Sequence, residues 1–175
     1  MPVNYRRTPQ FGLVVRQSST NKQSSLKALK KAQLIWLKFR DAEAAFVASG
    51  YEHTHTHTGG HWVEVYVIAL TALTNERTRY LKEGSYNLND TESEDDADKK
   101  LNEAYKALLS VLDDRQKKLV TTAELAWIKF RDAEARRFDG AKPKYTGYAL
   151  CQFTVDRTRA LKASYVRYKD LNSPN

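Results

Sequence analysis

Apolar residues recur along this chain at spacings of three and four, which is the period of an amphipathic α-helix. Stretches with this pattern run through 26–46, 101–112, 120–130 and 148–171. Their apolar stripes comprise Leu29, Ala32, Trp36, Phe39 and Phe46; Leu101, Tyr105, Leu108 and Leu112; Val120, Ala123, Trp127 and Phe130; and Leu150, Phe153, Leu161, Tyr165, Tyr168 and Leu171. The pattern predicts an all-α fold.

Two blocks of sequence occur twice. The block AQLIWLKFRDAEA at 32–44 returns as AELAWIKFRDAEA at 123–135, with ten of thirteen positions identical. A second block, LTALTNERTRYLK at 70–82, corresponds to LCQFTVDRTRALK at 150–162. The chain therefore contains a duplicated unit. The first pair of blocks is 91 residues apart and the second 80, so the first copy carries 11 extra residues, in the stretch YEHTHTHTGGHW.

The repeats define the predicted architecture, which is two tandem helical-bundle repeats with about three antiparallel helices in the second and two in the first. Pro9 and Gly12 interrupt a first helix in repeat 1, where the run GLVVR could be a short strand or an extended segment packed on the bundle. In repeat 2, Asp113 and Asp114 either cap a new helix or lie within one long helix. The predicted bounds are 1–25 for an irregular N-terminal arm, 26–83 for repeat 1, 84–97 for an acidic linker and 98–172 for repeat 2.

Charge is distributed unevenly along the chain. The stretch 84–98 contains six acidic residues and no basic one. Outside it, 29 basic residues face 15 acidic ones, a formal charge of +14 compared with +8 for the whole chain. A cationic surface attracts phosphates whatever the base sequence, although lysines on a solvated helix face are ordinary. The basic positions are Lys22, Lys27, Lys30, Lys31, Lys38 and Arg40 in repeat 1, and Lys117, Lys118, Lys129, Arg131, Arg136 and Arg137 in repeat 2.

The second copy resembles a known family. Its opening LNEAY at 101–105, its centre AWIKFRDAEA at 126–135 and its close TVDRTRAL at 154–161 are similar to the LprI-like lysozyme inhibitors. The resemblance implies a small helical domain and a non-enzymatic bacterial protein that binds another protein. The matching residues are Leu101, Asn102, Tyr105, Trp127, Phe130, Arg131, Asp132, Ala133, Glu134, Thr154, Arg157, Thr158 and Leu161.

Cysteine usage departs from that family. Members usually carry a cysteine after Asp-Ala-Glu and another before the final threonine, where this chain has Ala44, Ala69, Ala135 and Ala149. The single Cys151 permits no internal disulfide, and the start of the chain resembles no export signal. We therefore expect a cytoplasmic protein, while the resemblance implies a periplasmic or secreted one. No apolar run approaches the roughly 20 residues that a membrane helix needs, so no membrane insertion is expected.

Four charged residues fall on apolar stripes. Glu43 and Arg77 do so in repeat 1, and Glu134 and Arg157 occupy the same places in repeat 2. Because a buried charge must be paired, the pattern predicts one Glu43–Arg77 and one Glu134–Arg157 bridge, each within its repeat. A catalytic role is disfavoured, since the pair occurs twice with no nucleophile or metal set beside it.

All four histidines lie in the insertion, at His53, His55, His57 and His61. They form either a zinc, nickel or copper site or a polar loop that binds no metal; no other cofactor is expected. Loops on rigid scaffolds commonly carry recognition, so the insertion is also the predicted partner surface. That surface comprises Tyr51, Glu52, the four histidines, Trp62, Lys144 and Tyr145. For Trp62 and Tyr66 the pattern favours core residues at the start of the next helix, with Trp62 bordering the surface.

No sequence motif for catalysis is present: the chain has no P-loop, nucleotide-binding glycine pattern or G-x-S-x-G. We expect a non-enzymatic binding protein, a monomer or weak dimer, that neutralises a cell-wall hydrolase or a toxin as its inhibitor or immunity protein. The alternative is a basic helical protein associated with nucleic acid.

Overall fold

The computed structural model describes residues 19–51, 61–83, 93–138 and 143–171, with side chains from residue 23 onwards except at 138–145. The helices are α1 (Ser19–Ser49), α2 (His61–Glu83), α3 (Glu94–Leu109), α4 (Asp114–Ala135) and α5 (Pro143–Leu171), with a short 3₁₀ turn at Arg136–Phe138. These ranges contain no strand. Within these ranges the predicted all-α fold is confirmed, with two helices in repeat 1 and three in repeat 2.

Two helices begin before the predicted starts of their repeats. Helix α1 begins at Ser19, so 19–25 belong to a helix and not to the arm. Helix α3 begins at Glu94, inside the predicted linker, because Ser93 caps it by accepting a hydrogen bond from the Asp96 backbone N–H at 3.1 Å. Acidic residues in its first turn favour the positive end of the helix dipole. The rest of the predicted arm and linker lies outside the described residues.

Helices α3 and α4 are separate, which decides between the two alternatives for this part of the chain. Asp113 and Gln116 form a capping box at the start of α4. The Gln116 backbone N–H donates to the Asp113 carboxylate at 2.7 Å, and the Asp113 backbone N–H donates to the Gln116 side-chain oxygen at 3.1 Å. Reciprocal bonds of this kind satisfy two of the donors that a helix start leaves free.

The centre of the molecule is the packing of α1 against α4. The two helices run antiparallel, since positions 33 and 134 share one neighbouring arginine and positions 43 and 124 share another. Trp36 and Trp127 are buried here, as the repeat predicts. The Phe39 and Phe130 rings stack with centroids 6.0 Å apart and planes 3° apart. These two phenylalanines occupy the same place in the repeated block, so the repeats are related by an approximate twofold axis between them.

The end of α5 also packs on the first repeat. The Tyr168 ring stacks on Phe46 at 5.0 Å, and its hydroxyl donates to the Phe46 carbonyl oxygen and lies 3.1 Å from the Ser49 Oγ atom. Burial raises the pKa of Tyr168 to about 12. A side chain at Gly50 would meet the Tyr168 ring at 3.1 Å, so glycine permits this close approach. The two repeats therefore share one hydrophobic core.

The flanking helices are arranged differently in the two repeats. Helix α2 packs on α1, and α3 covers α5. The start of α3 comes so close to α5 that a Cβ atom at Gly147 would lie 2.6 Å from the Glu94 carboxylate. No helix among the described residues is long and apolar enough to cross a bilayer.

Candidate functional site: two buried charge clusters and the surface around the insertion

Arg157 on α5 lies at the centre of the first buried cluster. Its Nη2 atom is 2.8 Å from Glu43 on α1, and its Nε atom donates to Glu124 on α4 at 2.6 Å. The guanidinium also lies over the Phe39 ring, 5.3 Å from the centroid. Burial alone would lower the pKa of Arg157, but the two carboxylates outweigh it and raise that pKa. The arginine therefore stays charged inside the core.

Arg77 on α2 forms the second cluster on the other side of the twofold axis. Its Nη2 atom is 2.8 Å from Glu134 on α4, and its Nε atom donates to the Gln33 side-chain oxygen on α1 at 3.1 Å. The other Glu134 oxygen accepts from Arg137. The Arg77 guanidinium lies 5.1 Å from the Phe130 ring centroid, as Arg157 lies over Phe39. Burial and the nearby Glu134 carboxylate raise the pKa of Tyr80 above its ordinary range.

The predicted pairing of the four stripe charges is therefore wrong in its partners. Glu43 pairs with Arg157 and Glu134 with Arg77, so each bridge joins one repeat to the other. The exchange follows from the packing of α1 on α4, which directs each glutamate across the twofold axis. Spacing within the repeats could not reveal it, because both copies present the same residues at the same intervals.

The two clusters differ in net charge. One arginine faces two carboxylates around Arg157, whereas Glu134 faces both Arg77 and Arg137. Glu124 was not predicted from the sequence. The signal was there, because Glu124 occupies the position that Gln33 has in the first block, and this is one of only three differences between the two blocks. Burial raises the pKa of Glu124, an effect that the Arg157 charge opposes and the Glu43 charge reinforces.

Both clusters are suited to holding the repeats together. Their carboxylates and guanidiniums are bonded to one another within the core.

A separate cavity between α3 and α5 measures about 40 Å³, enough for a water molecule. It is lined by Glu94, Asp98, Arg131, Leu150, Cys151 and Thr154.

Three residues of the predicted partner surface lie at the base of the insertion. The Tyr51 and His61 rings meet edge to face with centroids 5.5 Å apart, and the His61 Nδ1 atom is 3.6 Å from Glu64. Trp62 is 45% exposed, which excludes the alternative that it is a core residue. The reason is its place in the first turn of α2, because the buried part of that helix begins at Ala69. Tyr66 is half-buried.

The remaining residues of that surface stay predictions. Glu52, His53, His55 and His57 lie outside the described residues, as do the side chains of Lys144 and Tyr145 in the first turn of α5. In the part of the chain that is described, no group of three or more histidine, cysteine or acidic side chains is placed to hold a metal ion. The two alternatives for the four histidines, a metal site and a polar loop that binds no metal, therefore stay untested.

Part of the predicted basic face is engaged inside the protein. Arg40 and Arg131 lie over the Trp36 and Trp127 rings, at 5.4 and 5.2 Å from the centroids, and each binds the aspartate that follows it. Arg137 is bonded to Glu134. The side chain of Lys22 lies outside the described region. Cations that are exposed include Lys27, Lys30, Lys31, Lys38, Lys118, Lys129 and Arg136.

Comparison with known proteins identifies both repeats. The model of the family described as "Lysozyme inhibitor LprI" matches twice, at residues 12–81 and 91–162. No curated protein and no solved structure matches the chain. The alanines at the positions where the resemblance implies cysteines are all buried, at Ala44, Ala69, Ala135 and Ala149. With the two matches spanning most of its length, the chain belongs to the LprI lysozyme inhibitor family.

Proposed function

We propose that this protein is a non-enzymatic inhibitor that binds a cell-wall hydrolase or a toxin by protein–protein contact. The observation that carries the proposal is the double match to the lysozyme inhibitor family, which covers both repeats. The interior is compatible with it, because the buried arginines and glutamates are bonded to one another and to Gln33, so their charges are compensated within the core.

The surface around the insertion is the proposed contact. Repeat 2 has no counterpart of these extra residues, and exposed Trp62 stands directly after them. Large aromatic side chains of this kind often provide most of the binding energy at protein interfaces. The formal charge of +8 favours a partner with an acidic surface, since a basic lysozyme would be repelled at long range.

The compartment in which the protein works decides which of the two partners it would meet. A single buried Cys151 and alanines at the family's cysteine positions suit a reducing cytoplasm, where the partner would be a toxin and this chain its immunity protein. A periplasmic or secreted location, as in the family, would instead bring it to a cell-wall hydrolase.

Inhibition assays with a matched pair of variants test this proposal. The full chain should slow peptidoglycan hydrolysis by a purified lysozyme or by an acidic cell-wall hydrolase. Trp62→Ala should weaken inhibition at least about tenfold, as expected for an interface anchor. Leu125→Ala is the control, because Leu125 is 57% exposed on α4, which contributes no residue to the predicted surface. Equal effects of the two substitutions at unchanged stability would contradict the proposed surface.

Deleting 53–60 provides a second test of the same surface. Shortening a loop changes stability by only about 1 kcal/mol or less, so the thermal transition should hardly move while inhibition is lost. If the histidines bind metal, calorimetry at pH 7.5 should show zinc binding that the deletion removes. A deletion that unfolds the protein would instead make this segment part of the scaffold.

Nucleic-acid association is the second candidate, favoured by the exposed lysines of α1. Lys27, Lys30, Lys31 and Lys38 follow one another along this helix. Binding to duplex DNA should then weaken steeply as the salt concentration rises. Replacing two of these lysines by glutamine should reduce the slope of log K against the logarithm of salt concentration. Salt-independent or undetectable binding would exclude this function.

A further inference from the structure

Helix α2 carries a stripe of apolar and threonine side chains that is open in repeat 1 and covered in repeat 2. Val63, Val67 and Leu81 are 44, 52 and 41% exposed. Leu161, the equivalent of Leu81, is 1% exposed on α5, the helix that α3 covers. We call this stripe the α2 seam; it consists of exposed Val63, Val67, Thr71, Thr78 and Leu81 and half-buried Thr74.

The polar groups of the α2 seam are already satisfied within the helix. Thr71, Thr74 and Thr78 donate their hydroxyl protons to backbone carbonyls one turn earlier, at 2.8, 2.7 and 2.8 Å. Thr154 and Thr158 do the same on α5, where both are buried. Covering the α2 seam therefore removes apolar surface from water without breaking a hydrogen bond.

The chain's own N-terminal residues are a poor match for this surface. The repeat offset of 91 aligns the buried residues of α3 with positions near the start of the chain, three of which are polar. Ala97, Leu101, Ala104 and Leu108 correspond to Arg6, Gln10, Leu13 and Gln17. A sequence with that pattern, interrupted by Pro9 and Gly12, does not supply the apolar face with which α3 covers α5.

The charges beside the α2 seam match a second copy of the same helix. Glu64 and Lys82 are both exposed and lie 18 residues apart, which is five helical turns, so they share one edge. When two α2 helices pack antiparallel, Glu64 lies against Lys82 of the partner subunit, and the reverse contact forms as well. The same register brings Val63 close to Leu81 of the partner subunit, offset by two residues or about 3 Å along the helix.

We propose that this chain forms a symmetric homodimer through antiparallel packing of two α2 seams. The contact is isologous, so it closes on itself and does not propagate into fibres. It is independent of what the protein inhibits. Trp62 lies in the first turn of the same helix, so the dimer carries two copies of the proposed partner surface.

Light scattering and sedimentation of the full chain at 150 mM salt test the interface. The mass should rise from monomer to dimer with concentration. Leu81→Ser should raise the dimer Kd at least about tenfold. Leu34→Ser, at a leucine 65% exposed on α1, should leave it unchanged. A full chain that stays monomeric up to about 1 mM, a weak limit for association, would overturn the proposal.

Charge reversal tests the antiparallel register. Glu64→Lys and Lys82→Glu should each raise the Kd about tenfold, because each turns two attractions into repulsions. Mixing the two variants should produce a heterodimer with both attractions restored. Lys162→Glu, at the equivalent exposed position of α5, is the control and should dimerise normally. A mixture that dimerises no more tightly than either variant alone would overturn the register.

A chain that dimerises only after removal of 1–18 would show that its own N-terminus occupies the α2 seam, and would overturn the proposal.

Discussion

The Phe39 and Phe130 rings stack in parallel at the junction of the two repeats, with centroids 6.0 Å apart and ring planes 3° apart. Each ring also lies under an arginine of the neighbouring cluster, Arg157 over Phe39 and Arg77 over Phe130. Because the phenylalanines are equivalent residues, they mark an axis through the middle of the protein. Every contact that crosses this axis joins one repeat to the other, so the duplicated units should fold cooperatively.

The exchanged ion pairs predict which residues are energetically coupled. In a double-mutant cycle, Arg77→Met and Glu134→Gln should show a coupling energy above about 1 kcal/mol. Glu134→Gln alone should cost about 3–5 kcal/mol, because it leaves buried arginine charge uncompensated. Urea unfolding followed by circular dichroism measures both quantities.

The matched cycle pairs residues of the same repeat. Arg157→Met with Glu134→Gln should be additive within about 0.5 kcal/mol, since these side chains belong to different clusters. A large coupling here, together with additivity for Arg77 and Glu134, would show that the bridges form within repeats after all.

Glu124 is the residue whose ionisation should cost stability. Burial raises its pKa above the ordinary value of 4.5, so the folded protein holds this proton more tightly than the unfolded chain. The resulting stabilisation is complete below about pH 4.5 and is lost as the pH rises through the folded-state pKa. Glu124→Gln should therefore raise the free energy of unfolding at pH 7 and lose that advantage in acid, as urea titrations at several pH values would show.

Gln33→Glu is the control for that substitution, because Gln33 occupies the same place beside Arg77. Its cluster already has two arginines for one carboxylate. The new carboxylate should be tolerated near neutral pH, and its effect should fade in acid as it becomes protonated. Destabilisation by Glu124→Gln at pH 7 would mean that the second carboxylate is needed to hold Arg157.

The buried tryptophans should carry much of the stability. Trp127→Ala should cost about 3–5 kcal/mol, the usual range for removing a large buried aromatic side chain. Leu125→Ala on the same helix should change stability by less than about 0.5 kcal/mol, because Leu125 is 57% exposed. Thermal or urea denaturation would compare them, and similar losses for both would contradict the assignment of Trp127 to the core.

Sequence reasoning could predict what depends on local pattern. The stripe containing Trp127 identifies α4 and its buried face, and Asp113 suggests the cap that separates α3 from α4. The partner of Glu134 could not be predicted, because identical repeats make contacts within and between copies equivalent in sequence. Whether Trp62 is buried could not be predicted for a related reason, since periodicity shows which residues share a face but not where the covering helix ends.

Repeat 2 in isolation should dimerise through the face that α1 covers in the full chain. A fragment covering 93–175 retains α4 but lacks α1, so the face around Phe130 is left open. Helix α4 of a second copy of the fragment can take the place of α1, because the repeated block is almost the same in the two helices that face each other across the axis. Phe130 would then stack on Phe130 of the partner subunit, and Arg157 would bind Glu134 of the partner subunit. The fragment should therefore be a dimer whose melting temperature rises with concentration, and Phe130→Asp should leave it unfolded. Because the fragment has no α2, this association is distinct from the one proposed for the full chain. A folded monomer with a concentration-independent melting temperature would show that α4 needs no partner from across the axis.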